Sequence, residues 1–444
     1  MAYPFPRYAF LSYNCLWSSN HYHWKEVLAL NMTMEEAIRE FALPVRDNGD
    51  LDPLLEAVGD SKIVLLGEST HGTSEFYRWR ADFSKRLIQE KGFSVIAVEG
   101  DWPSASQVHR YINDFTTSHE NAAPLLAQSF ARWPRWMWAN EEIADFVEWL
   151  KNFNASENRK TGFYGIDVYS LWESMEEVIH YLNDVDPSGG DVELAKQAFS
   201  CFESCNRDPD KYAASFASFS KECIDEVVKL LASVRSNAAF YPSEEEADLN
   251  LHINSLVTKN AEQYYRAMIR SGVESWNIRD RHMVETVNEL RNYHGQEARI
   301  IIWEHNTHIG DARATDMKED KMVNVGQLLR EQNPPEDVYT IGFGSYEGSV
   351  IAAKAWEAPP EEMILPPGKK NSWEHLLHKT GAFDKLLIFD DNNRRLFDRW
   401  IGHRAVGVVY HPAYEAQGNY VPSMISKRYD AYLFFDRTEA LNPL

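Results

Sequence analysis

The feature that most constrains the fold is a series of short apolar runs that are continuous rather than alternating. They occupy residues 63–66, 95–98, 163–166, 300–303, 338–343, 386–389, 406–410 and 432–435. An unbroken apolar strand indicates burial on both faces, and segments with helical periodicity separate these runs. The sequence therefore predicts an α/β fold with a mostly parallel central sheet covered by helices.

The domain organisation is predicted from changes in pattern along the chain. Residues 1–44 are expected to form an N-terminal extension and a first helix, and residues 45–444 one α/β domain. Within it, residues 172–295 are polar with helical periodicity and without a strand candidate, which predicts a large helical insertion. Residues 358–370 contain four prolines and one glycine, which predicts a surface loop.

The charge balance and the cysteines limit the partners and the compartment. The chain has 45 Lys and Arg against 67 Asp and Glu, a net charge of −22, which repels nucleic acid and anionic lipid. No stretch of about 18 uninterrupted apolar residues predicts a membrane span, and residues 1–31 do not resemble a signal peptide. Free thiols in a reducing cytoplasm are expected for the four cysteines, which form no CxxC pair: Cys15, Cys201, Cys205 and Cys223.

Polar residues follow several of the apolar runs, at the point where each predicted strand ends. They are Gly67 and Glu68, Glu99, Asp167, Glu304 and His305, and Asp390 and Asp391. In open α/β sheets ligands bind outside the carboxyl ends of the strands, so these residues predict a site at that edge. The alternative is the ordinary polarity of strand ends.

The first candidate group is Glu68, His71, Arg80 and Glu99. A carboxylate that bonds a histidine fixes its tautomer and raises its basicity, as general-base catalysis requires. A half-buried Glu99 needs partners such as His71 and Arg80, because an unpaired buried charge is costly. The alternative is a structural cluster of ion pairs with an ordinary loop histidine.

The second candidate group is the histidine pair His305 and His308, which leaves the end of the 300–303 strand. Such a pair is often structural, but this one lies at the predicted site edge, and at least one of the two is expected to belong to the site. The aromatic segment 130–140 suggests either a cleft for a bulky ligand or simple packing between sheet and helices.

The motifs LLGESTHGTSEFYRWR, VIAVEGDW and IIWEHNTHIGD together resemble those of the erythromycin esterase family, which includes proteins labelled as succinoglycan biosynthesis proteins. The resemblance covers most of the chain from about residue 45, including the WNIRDRHM segment at 276–283. It implies a bacterial hydrolase, with a possible part in antibiotic response, in which His71 is the general base. The family's other site positions match Glu68, Arg80, Glu99, His305 and His308.

The expected reaction is attack of a His71-activated water on the ester or lactone carbonyl of a small molecule. Glu68 or Glu99 would orient His71, while Arg80 and His305 or His308 would stabilise the oxyanion or protonate the leaving oxygen. A nucleophile elbow of the G-x-S-x-G type is missing, which leaves a serine triad unsupported. No cofactor is expected, and the oligomeric state is left open.

Three alternatives stay open at this point. The histidines and glutamates have the ligand types that zinc accepts, although H-E-x-x-H spacing is missing, so metal-assisted hydrolysis is one alternative. A non-enzymatic protein that binds a small ligand or a metal is another. The third is a transferase of polysaccharide biosynthesis.

Overall fold

The computed structural model describes residues 32–115, 119–157, 160–185, 190–203, 229–230 and 246–444. Its strands are β1 Leu43–Pro44, β2 Ile63–Leu66, β3 Val95–Asp101, β4 Gly162–Asp167, β5 Ile300–Trp303, β6 Val338–Ala353, β7 Pro360–Leu365, β8 Lys385–Ile388, β9 Trp400–Arg404, β10 Tyr420–Met424 and β11 Ala431–Thr438. Its helices are α1 Met34–Phe41, α2 Asp52–Val58, α3 Ser74–Lys91, α4 Trp102–Ile112, α5 Ala122–Ser129, α6 Glu141–Ser156, α7 Leu171–Val185, α8 Gly190–Glu203, α9 Ala247–Met268, α10 Gly272–His294, α11 Asn306–Ile309, α12 Val325–Gln332, α13 Trp373–Lys379, α14 Glu415–Gly418 and α15 Ile425–Arg428.

The central sheet has the order β1-β8-β11-β6-β2-β5-β3-β4, with β7 added to β6. The six neighbours from β11 to β4 are parallel, and β8, β1 and β7 are antiparallel additions. The predicted α/β fold with a mostly parallel sheet is confirmed. Because β5 lies between β2 and β3, the residues that follow these three strands emerge side by side at one edge.

Both faces of the sheet are covered, as the continuous apolar runs require. Along β5, Ile301 and Trp303 enter one hydrophobic core while Ile300 and Ile302 enter the core on the opposite face. A strand alternates its side chains between faces, so each run supplies two cores at once.

Three details of the sequence-based fold were wrong. Residues 406–410 make isolated bridges rather than a strand, and the strand nearby is β9, paired with β10. Part of the predicted loop 358–370 is the edge strand β7, which tolerates proline because Pro360 is its first residue. Asp390 and Asp391 follow β8, whose antiparallel direction places them at the edge opposite the predicted site.

The helical insertion has a small core of its own. In the described part of residues 171–294 the chain forms α7, α8, α9 and α10, and residues of α7, α8 and α9 make a third hydrophobic cluster. Residues 1–31 of the predicted N-terminal segment, and residues 204–228 and 231–245 of the predicted insertion, lie outside the described residues. The domain boundaries stay a prediction.

The helix α1 begins with a hydrogen-bonded cap. Thr33 and Glu36 form a capping box at the start of α1, which stabilises the helix that follows the predicted extension.

In the aromatic segment 130–140, Trp136 and Trp138 are buried in the core, whereas Trp133 is half-buried. Trp136 and Trp138 therefore pack between the sheet and the helices and do not line a cleft. Among the helices that the structure describes, none has the length and apolarity to cross a membrane.

Gly72 allows the loop after β2 to lie directly against β6. Its carbonyl accepts hydrogen bonds from the amides of Ile351 and Leu441, both at 3.0 Å. A Cβ atom on Gly72 would lie 1.9 Å from the Ile351 carbonyl oxygen, so the loop and the strand would have to separate.

We predict that Gly72→Ala lowers the free energy of unfolding by about 1–3 kcal/mol, because backbone cannot move aside as a flexible side chain can. The matched control is Gly407→Ala, where an added Cβ meets no atom within 4 Å. Denaturant unfolding of both variants checks this. Equal stability of the two variants would show that the loop can leave β6 at little cost.

Candidate active site

Glu68 connects His71 to Arg80 in the loop between β2 and α3. Its Oε1 accepts a hydrogen bond from His71 Nδ1 at 2.9 Å, and its Oε2 accepts one from Arg80 Nη2 at 2.8 Å. Because a carboxylate only accepts, the proton of neutral His71 lies on Nδ1, and Nε2 carries a lone pair. The His71 side chain keeps 10% of its surface exposed, against 2% for Glu68.

Arg80 is held behind Glu68 rather than beside the histidines. Its side chain is 1% exposed, and its guanidinium lies over the rings of Tyr77 at 4.4 Å and Trp303 at 4.8 Å. These contacts hold the arginine in one orientation, so it anchors the Glu68 carboxylate.

His305 has the opposite arrangement of ring nitrogens. It is the N-cap of α11, where its Nδ1 accepts a hydrogen bond from the Thr307 amide at 3.2 Å and lies 2.8 Å from the Thr307 hydroxyl. The proton of neutral His305 therefore lies on Nε2, and that atom is buried with no hydrogen-bond partner among the described residues. The rings of His71 and His305 are 4.8 Å apart, centroid to centroid.

His308 uses both of its ring nitrogens in contacts with the protein. Its Nδ1 lies 2.9 Å from Asp280 Oδ1, and Arg279 Nη1 donates to its Nε2 at 2.8 Å. The ring also stacks on Trp276 at a centroid distance of 4.5 Å. Both ring nitrogens of His308 thus have partners, whereas Nε2 of His305 is buried without one among the described residues.

Glu99 connects the histidine loop to the helical insertion. One oxygen accepts the backbone amide of His305 at 2.7 Å, and the other accepts Arg279 Nη2 at 2.7 Å. Arg279 also makes a two-point contact with Asp167 at 2.9 and 2.7 Å. Since Arg279 lies on α10, this contact holds the insertion against the carboxyl ends of β3 and β4.

The predicted site residues thus form one continuous group of contacts. Glu68 bonds Arg80 and His71, His71 lies beside His305, and the Glu99 carboxylate receives the His305 amide. His308 joins through Arg279. The structure places all six residues together, and their catalytic roles stay predictions.

Arg279 and Asp280 were missed as site residues, although the WNIRDRHM segment contains them. The signal was present in the periodicity of α10. Asp280 falls on the helical stripe that also contains the buried Met283, Val287 and Leu290, and it is 0% exposed. A carboxylate on an apolar stripe requires a buried partner, here His308.

The surroundings shift the pKa values of the paired groups in different directions. Burial lowers the pKa of His71, but the hydrogen bond to Glu68 and the charges of Glu99 and Glu68 outweigh it, so the pKa lies above the ordinary 6.5. Burial and the neighbouring His71 hold the pKa of His305 well below 6.5. Burial opposes ionisation of Glu99, yet His308, Arg279 and His71 bring its pKa well below the usual range.

In the part of the chain that the structure describes, no group of three or more His, Cys, Asp or Glu side chains is arranged to hold a metal ion. The carboxylates of the site instead contact arginine, histidine and backbone amides.

Comparisons with known proteins agree with this fold. The family model described as erythromycin esterase matches residues 88–438. The chain is 23% identical over 366 residues to YbfO of Bacillus subtilis (strain 168), covering 78% of this chain and 77% of that one. It is 23% identical over 352 residues to erythromycin esterase type II of Escherichia coli, covering 72% and 79%. The crystal structure of a succinoglycan biosynthesis protein matches with a TM-score of 0.73 and 19% identity over 92% of this chain and 97% of that chain.

We predict that Arg279→Met lowers the free energy of unfolding by about 3–5 kcal/mol, because it leaves buried carboxylates without their cation. The control is Arg313→Met, which removes a half-exposed arginine from a similar two-point contact with Asp311. That change should cost about 0–1 kcal/mol. Thermal and denaturant unfolding measure both, and similar losses would contradict the assignment of Arg279 as the buried link.

Proposed function

This chain belongs to the erythromycin esterase family, and we propose that it hydrolyses an ester or lactone of a small molecule with His71 as the general base. The observation that carries the proposal is the difference in hydrogen-bond partners between two adjacent imidazoles, from which we infer opposite tautomers. His71 has a lone pair at Nε2 because its Nδ1–H donates a hydrogen bond to Glu68, and His305 has its proton at Nε2 because its Nδ1 accepts a hydrogen bond from the Thr307 amide. A base and a proton donor side by side are what ester hydrolysis requires.

The proposed reaction proceeds without a covalent intermediate. His71 Nε2 takes a proton from water as the water oxygen attacks the carbonyl carbon. The oxyanion that forms, or the leaving oxygen, receives a hydrogen bond from His305 Nε2. The bond between carbon and the leaving oxygen then breaks, the proton held by His71 passes to that oxygen, and an acid and an alcohol are released.

The remaining site residues hold these two rings in place. Arg80 fixes Glu68, and thereby the tautomer of His71. Glu99 fixes the backbone at His305, and His308 helps to orient Arg279. We therefore assign the oxyanion contact to His305 rather than to Arg80 or His308.

The family relationship supports an ester or a lactone as the substrate class. One relative is named for esterase action on erythromycin, a macrocyclic lactone, so a macrolide is one candidate within the wider ester and lactone class. A transferase would instead pass the acyl group to an alcohol acceptor. A screen with chromogenic esters and macrolides in ¹⁸O-water separates the two, because hydrolysis places ¹⁸O in the acid product.

We predict that His71→Asn lowers kcat by about 10²- to 10⁴-fold, the usual contribution of a general base. His378→Asn is the matched control, because His378 also bonds a carboxylate through Nδ1, at 2.8 Å from Asp436, outside this cluster. Turnover and thermal melting are measured together. Wild-type activity in His71→Asn would remove the base assignment.

The pH profile gives a second prediction. His71 acts only when neutral and its pKa is raised, so kcat/KM should rise with pH on a group that titrates above 6.5. Glu68→Gln keeps an acceptor but removes the charge that raises this pKa, and the rising limb should move to lower pH. If the rising limb of the pH profile is at the same pH in Glu68→Gln as in wild type, the contact with Glu68 is not the cause of the raised pKa of His71.

We also expect hydrolysis to survive chelation, because a histidine oriented by a carboxylate can activate water unaided. The enzyme is treated with a chelator, assayed, and assayed again after addition of single metal ions. Activity that is lost and then restored by one particular ion would assign the reaction to metal-bound hydroxide.

A further inference from the structure

Glu304 is a buried carboxyl group for which the proposed reaction has no use. It follows β5 directly, between Trp303 and His305, and its backbone amide donates to the Leu66 carbonyl at 3.3 Å. The residue is 0% exposed, and both of its side-chain oxygens lack a hydrogen-bond partner among the described residues. An ionised carboxylate in such surroundings would lose its hydration without compensation.

The charges around Glu304 are mostly negative. The charged groups whose fields act on Glu304 are Glu99 at the end of β3, Asp167 at the end of β4, and Asp280 and Arg279 on α10. Arg279 already bonds both Glu99 and Asp167. One guanidinium therefore serves two carboxylates, and a third anion at Glu304 would compete for the same cation.

We propose that Glu304 is the charge-balancing residue of this site, a carboxylic acid that stays neutral at neutral pH and so leaves Arg279 bound to Glu99 and Asp167. Its effect on hydrolysis rests on the proposed function. Ionisation of Glu304 would draw Arg279 away from Glu99, whose other oxygen holds the His305 amide. The site thus contains a group whose ionisation loosens the histidine loop as the pH rises.

The direction of the electrostatic effects agrees with this assignment. Burial first, and then the charges of Glu99 and Asp280, raise the pKa of Glu304 well above its ordinary 4.5. Glu374 provides the contrast, because it is also 0% exposed but accepts the Arg404 amide at 2.9 Å and lies 3.0 Å from His403. There burial is outweighed by His403 and Arg404, and the pKa of Glu374 is lowered.

The test compares Glu304→Gln with Glu374→Gln, which make the same change at equally buried positions. In the infrared difference spectrum between wild type and variant at neutral pH, Glu304→Gln should remove the carbonyl band of a protonated acid. Glu374→Gln should remove carboxylate bands instead. Wild-type protein without a protonated-acid band at neutral pH would overturn the proposal, even if Glu304→Gln failed to fold.

Stability against pH is the second measurement. Folded wild type keeps a proton on Glu304 that the unfolded chain releases above about pH 4.5, so wild-type stability falls as the pH rises from there towards the raised pKa. Glu304→Gln does not bind this proton. The ratio of its folding equilibrium constant to that of wild type should therefore rise about tenfold per pH unit, from the ordinary pKa of 4.5 up to the raised pKa. Glu374→Gln should lose stability at neutral pH, and a similar loss in Glu304→Gln would contradict the proposal.

Neither measurement needs a substrate, so their outcome is independent of whether the chain is a hydrolase. Where hydrolysis is found, kcat/KM of wild type should fall at alkaline pH as Glu304 ionises, and this fall should be absent in Glu304→Gln. An unchanged alkaline limb in the variant would overturn the link between Glu304 and the histidine loop. Absence of any hydrolysis would count against the proposed function alone.

Discussion

The pairing of buried charge determines the arrangement of this site. Three carboxylates, those of Glu68, Glu99 and Asp167, meet at one edge of the sheet, where water is largely excluded, and each requires a cation or a set of donors. Arg80 provides this for Glu68, and Arg279 provides it for Glu99 and Asp167. The positions of the histidines follow, because the Glu68 carboxylate holds the His71 ring and the Glu99 carboxylate holds the backbone of His305.

The two arginines come from different parts of the fold. Arg80 lies on α3, the helix that follows the loop after β2, whereas Arg279 lies on the helical insertion. The insertion has its own apolar cluster, and the contacts of Arg279 and Asp280 connect it to the sheet. The geometry of the histidine pair therefore depends on the position of α10 against the sheet. Changes in the insertion are expected to alter the positions of His305 and His308 through this contact.

Much of this arrangement could be predicted from the sequence, for identifiable reasons. Continuous apolar runs require burial on both sides, and the polar residues after β2, β3 and β5 had to emerge together once the sheet was parallel. The direction of β8 could not be predicted in this way, because a continuous apolar run is compatible with a parallel and with an antiparallel buried strand. Asp390 and Asp391 were therefore assigned to the wrong edge. Arg279 was not predicted, because the site prediction rested on polar residues at strand ends and Arg279 lies within a helix.

Long-range ¹H–¹⁵N correlation spectra of the histidine rings test most directly whether His71 and His305 have opposite tautomers. In the neutral forms we expect the proton of His71 on Nδ1 and that of His305 on Nε2. Assignment of the two signals is made with His71→Asn and His305→Asn. A His71 signal with the proton on Nε2, or the same tautomer in both rings, would contradict the assignment of one ring as base and the other as proton donor.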